Sequence, residues 1–91
     1  MEGEFSMFLH IGSDREILAK SVVSILNIST IEKSKITQEF VQTAKEKGWI
    51  ESISQDSPKS IIITEENEKT ILYLSPISSV TLQRRIGNTL T

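Results

Sequence analysis

Residues 57–64 read SPKSIIIT. A Ser-Pro turn passes through Lys59 into Ile61-Ile62-Ile63. Successive side chains of a strand point to opposite faces, so this run presents isoleucine to both sides of whatever sheet it joins. A two-layer domain leaves one sheet face to water. Both faces of this strand therefore need cover, either from a second layer within the chain or from a neighbouring subunit. The patterns below supply only two helices, which makes a neighbouring subunit the expected cover and an oligomer the expected state. Ile61, Ile63 and, on the next strand, Tyr73 are the candidate interface residues.

Reading outward from this run, Lys59–Thr64 and Thr70–Leu74 form two strands joined by the acidic loop Glu65-Glu66-Asn67-Glu68, a length that suits an antiparallel hairpin. Residues 75–85, SPISSVTLQRR, follow. Pro76 cannot donate to a ladder, so it ends the sheet and primes a helix from about Ser78 to Ile86, closed by Gly87-Asn88. Upstream, Ile36, Phe40 and Ala44 recur every four residues, with Val41 beside them. Ser34 suits the N-cap of that helix, Lys45 and Lys47 complement its C-terminal dipole, and Gly48 stops it. Trp49–Ile53 alternates and reads as a short strand. Near the start, Phe8-Leu9-His10-Ile11 is a strand stopped by Gly12, with Ser13-Asp14-Arg15 as a turn. Residues 16–28 are rich in β-branched side chains and read as one long, kinked or bulged strand pairing back on the first. The order is ββαβββα. This predicts an α+β fold, a mostly antiparallel sheet with two helices, in one domain over residues 7–88. MEGEFS at 1–6 is expected to be a disordered extension or tag remnant.

Composition narrows the function. The 91 residues carry ten basic and twelve acidic side chains, a net charge of −2, which is not the strong positive balance of a dedicated nucleic-acid binder. Net charge says little about its distribution, so a local basic patch stays open. No apolar run approaches the ~20 residues that span a bilayer, and the opening lacks the pattern of a signal peptide. With no cysteine there are no disulfides or thiolate metal sites, and a cytoplasmic location is expected.

Catalysis finds no machinery in the sequence. His10 is the only histidine and sits within an apolar strand, where a structural hydrogen-bonding role is the default. The carboxylates of Asp14, Glu16 and the 65–68 loop fall in turns, where solvation is the ordinary reading. The four glycines have neither dinucleotide nor P-loop spacing. A non-enzyme is expected, without cofactor, metal or small-molecule substrate. The basic residues suggest binding instead. Arg84 and Arg85 lie on the last helix, and Lys59, Lys20 and Arg15 lie in or beside turns, where such groups grip phosphates. A solvated basic helix face, or salt bridges between subunits to the acidic loop, is the more ordinary reading of the same residues.

MFLHIG at 7–12, AKSVVSILN at 19–27, PKSIIIT at 58–64 and YLSPISSVTLQRR at 73–85 together resemble the bacterial extracellular matrix regulatory (Rem) family over Met7 to about Ile86. The PKSI strand and the Ser-Pro ending are most similar to its B-type branch. The resemblance implies a non-enzymatic, DNA-binding transcriptional regulator of biofilm matrix genes, assembled as a homo-oligomeric ring with double-stranded DNA on its rim. Under it Lys59 and Lys20 keep basic groups near the A-type contact positions, while Arg84 and Arg85 belong to the B-type ending and are open to either DNA contact or the subunit interface. All four are the candidate phosphate contacts. The A-type branch carries adjacent arginines just before the strand matching Lys59–Thr64, and Asp56 and Ser57 stand there instead. Another A-type arginine falls near Ser21, beside Lys20. The alternative is an oligomeric scaffold for protein partners that does not touch DNA.

Overall fold

The computed structural model describes residues 7–90, with side chains through Gly87, so the expected extension at 1–6 lies outside the described residues. The chain runs β1 (Phe8–Gly12), β2 (Arg15–Leu18), a 3-10 turn (Ala19–Ser21), β3 (Val22–Asn27), α1 (Ser29–Lys33), α2 (Lys35–Glu46), β4 (Ile50–Ser52), β5 (Ser60–Glu66), β6 (Lys69–Ser75) and α3 (Ser79–Leu90). The α+β class stands, with three helices and two sheets. One sheet is the antiparallel hairpin β1-β2, and the other is four-stranded in the order β3-β5-β6-β4. That second sheet is mixed, because β4 runs parallel to β6.

Strand β5 lies inside the four-stranded sheet, and both its faces are covered from within the chain. On one face Ile62 and Tyr73 meet Leu9, Ile11 and Ile17 of the hairpin and Leu82 of α3. On the other, Ile61 and Leu72 meet Ala44 of α2, with Val41, Trp49, Ile28 and Ile31 packed around them. Ile61 and Ile62, adjacent in sequence and opposed in direction, are both fully buried. Each such side chain contributes about 1.5–3 kcal/mol relative to exposure. The isoleucine run therefore needs no neighbouring subunit. Ile61 and Tyr73, expected at an interface, are core residues, and Ile63 is half-buried against the α2 side. The cover that two helices alone would not give comes from the β1-β2 hairpin, which stands apart from the main sheet as a layer of its own.

The single long strand expected over residues 16–28 does not form. Residues 16–28 are two strands separated by a corner. Buried Ala19 and Ser21 turn the chain at the 3-10 turn, after which β3 leaves β1 and pairs with β5. A bulge does occur at Val23, between Val22 and Ser24. Helix α1 has no cap signal in the sequence; just ahead of it the Asn27 side-chain oxygen accepts from the Ser29 amide at 2.9 Å. By contrast, α2 follows its signals. The Ser34 hydroxyl accepts from the Thr37 amide at 3.2 Å, and Gly48 ends the helix at a φ of +74°. The final helix passes through Gly87 rather than closing there, since Gly87 is not among the left-handed residues that stop a helix. The β5-β6 loop is shorter than expected. Only Asn67 and Glu68 turn, both at positive φ, and Glu65 and Glu66 belong to the strand.

Buried hydroxyls join the layers. The Ser75 hydroxyl donates to the Ile11 carbonyl at 2.7 Å and accepts from the Ile77 amide at 3.0 Å. The Ser60 hydroxyl donates to the Ile77 carbonyl at 2.8 Å. Both serines are fully buried, so each bond satisfies a group that water cannot reach. Next to Ser75, Pro76 rests on Gly12, where an added Cβ would sit 3.0 Å from the proline ring and the φ is +116°. At the hairpin turn, Arg15 donates to Glu51 on β4 at 3.0 Å and lies 5.3 Å over the Tyr73 ring. Desolvation works against the Arg15 charge, but the Glu51 carboxylate and Tyr73 more than offset it, raising its pKa above the usual arginine value.

Ser75→Ala leaves the Ile11 carbonyl without its donor in the core and is expected to lower unfolding stability by about 1–3 kcal/mol. Arg15→Ala removes a half-exposed ion pair and is expected to cost less than about 1 kcal/mol. Urea unfolding of the two variants checks that order. Gly12→Ala is expected to destabilise by about 1–3 kcal/mol, since its backbone region is nearly closed to alanine. An unchanged urea midpoint for Gly12→Ala would refute the contact with Pro76.

Candidate nucleic-acid interface

Backbone pairing fixes Lys59. Its amide donates to the Ser75 carbonyl at 2.7 Å, and its carbonyl accepts from the Ile28 amide at 3.0 Å. The side chain is exposed at the end of the sheet where β5 begins. Lys20 is exposed at the opposite end. β3 pairs antiparallel with β5, with Val22 opposite Thr64 and Asn27 opposite Ser60, so Lys20 lies toward the Glu66 end. At about 3.3 Å per residue the two lysines stand some 16 Å apart or more along the strand. Lys20 also shares a shallow cleft with Glu65, Glu66 and Asn67, so its surroundings are acidic.

Arg84 and Arg85 are exposed on α3, in the hairpin layer, on the opposite side of the sheet from α1 and α2. They diverge around the helix. Arg85 turns back to the hairpin and donates to the His10 carbonyl at 3.0 Å. Leu82, fully buried, marks the inward face, and Arg84 lies on the outward side, one turn after exposed Val80. The four candidates therefore do not form one patch within the chain. They divide into Lys59 at one sheet end, Lys20 at the other, and the α3 pair in a third place.

The segment before β5, where the resemblance puts arginines in the A-type branch, is a hydroxyl-rich loop. Ser13, Ser52, Ser54, Gln55, Asp56 and Ser57 line an open cleft there. The Ser54 hydroxyl accepts from the Asp56 amide at 3.0 Å and holds the loop's shape. Asp56 and Ser57 are exposed, so the rim around Lys59 is close to neutral.

His10 is exposed rather than enclosed. Period two explains this, since Leu9 and Ile11 point inward and Phe8 and His10 point out. Among the described residues no three His, Cys, Asp or Glu side chains come together as a metal site. Among them, too, no helix is long and apolar enough to cross a membrane. The sequence reading missed the clamp of Arg15 on Glu51, and no local signal could have revealed a pair 36 residues apart.

A search of curated proteins returns no match. A family model does match, that of extracellular matrix regulatory protein A-like (RemA-like) proteins, over residues 8–86. This span runs from the first residue of β1 into α3 and takes in every core residue of both layers. The chain belongs to the RemA-like family of extracellular matrix regulatory proteins.

Proposed function

We propose that the protein is a non-enzymatic, DNA-binding transcriptional regulator of extracellular matrix and biofilm genes, acting in the cytoplasm as a homo-oligomeric ring. The observation that carries this reading is the family match across almost the whole domain. Lys59 is the leading phosphate contact, because it is exposed and held at a sheet end by two backbone bonds. Lys20, Arg84 and Arg85 are the further candidates.

Dispersed charge fits a ring better than a monomer. One copy offers scattered single cations and weak affinity. A ring repeats each cation around a rim, and duplex DNA that follows the rim meets many copies at once, so avidity multiplies the contacts. The near-neutral loop at Asp56 and Ser57 favours a second reading, an oligomeric scaffold that binds protein partners without DNA.

A DNA titration at two salt concentrations, with the mass in solution measured alongside, separates the two. Phosphate contacts make log K fall with log salt by about 0.9 per phosphate neutralised. For the regulator, Lys59→Glu is expected to weaken binding by about tenfold while the assembly keeps its mass. An intact assembly with no salt-sensitive binding would favour the scaffold.

A further inference from the structure

The solvent sides of α2 and α3 each carry apolar residues that stay exposed among the described residues. On α2, Val41 and Ala44 face the sheet, while Ile36 is 80% exposed and Phe40, one turn on, is 37% exposed. Glu39 is exposed beside them. On α3, Leu82 faces the core, while Val80 is 61% exposed and precedes exposed Arg84 by one turn. Neither Glu39 nor Arg84 has an ion-pair partner among the described residues.

We infer that these two surfaces bind each other between copies of the chain. Val80 of one copy seats on the Ile36–Phe40 ledge of the next, and Arg84 pairs there with Glu39. The reasoning is one of complementarity. Residues three or four apart on a helix are about 5–6 Å apart, so the spacing from Val80 to Arg84 matches that from Ile36 to Glu39. The pairing of unlike surfaces places apolar on apolar and cation on anion.

Geometry then limits what forms. α2 and α3 lie on opposite faces of the four-stranded sheet, so they cannot meet within one chain. Contacts between unlike surfaces propagate head to tail and close as a ring when the rotation permits. The inference rests on the ring reading proposed above and names the surfaces that would build it. It also takes Arg84 from the list of DNA contacts and gives it to the interface.

The test is light scattering on the full chain across a dilution series, with circular dichroism confirming the fold. Ile36→Asp and Val80→Asp alter well-exposed positions and are expected to stay folded. Each is expected to weaken association by about tenfold or more. Glu39→Arg and Arg84→Glu are each expected to shift the assembly to lower mass, and the double exchange to restore it. Single variants with wild-type mass would overturn this contact while leaving the ring reading intact. Loss of mass without rescue by the double exchange would overturn the Arg84–Glu39 pairing. A monomeric wild-type protein would remove the ring reading, and this contact with it.

Discussion

Strand β5 cannot be wet on either side, and the rest of the structure answers to that constraint. Its consecutive isoleucines, Ile61 and Ile62, are fully buried on opposite faces. A strand buried on both faces needs two covering layers, and 91 residues leave little chain with which to build them. The chain does so by dividing labour. α1 and α2 cover one face; the β1-β2 hairpin and α3 cover the other. The 3-10 corner at Ala19–Ser21 makes this possible, because it lets one continuous stretch serve first in the covering hairpin and then in the covered sheet.

Stacking a two-stranded hairpin on a sheet raises a second problem, since an isolated hairpin is marginal in water. Three kinds of tie hold it. Ser75 binds the Ile11 carbonyl within the core, Pro76 fits against Gly12, and Arg15 reaches Glu51 and Tyr73 at the surface. The buried hydroxyl dominates, because an unsatisfied carbonyl in a dry site costs more than a screened surface pair returns. The Ser-Pro that looks in sequence like a mere strand stop is thus the joint between the two layers.

The same architecture distributes the charges. Lys59 and Lys20 are fixed at opposite ends of the β3-β5 ladder, and α3 holds its arginines in the hairpin layer. No single groove gathers them. The family to which the chain belongs is regulatory by description.

Local chemistry made part of this legible. Ser34 and Gly48 bracket α2 because a cap and a left-handed stop act within a few residues. The β5-β6 hairpin was readable from the short polar loop between two apolar runs, the short β4 strand from alternation, and the family from the order of its motifs. Elsewhere the outcome depended on distant partners. Nothing near residues 16–28 says that their second half pairs with β5, since register is decided by which strand offers a complementary face. The direction of β4, the clamp between Arg15 and Glu51, and the separation of Lys59 from Lys20 are likewise settled by packing. The isoleucine run alone requires that β5 be buried on both sides. That the chain covers both sides itself is settled by packing, because a hairpin becomes a layer only when the core beneath it exists.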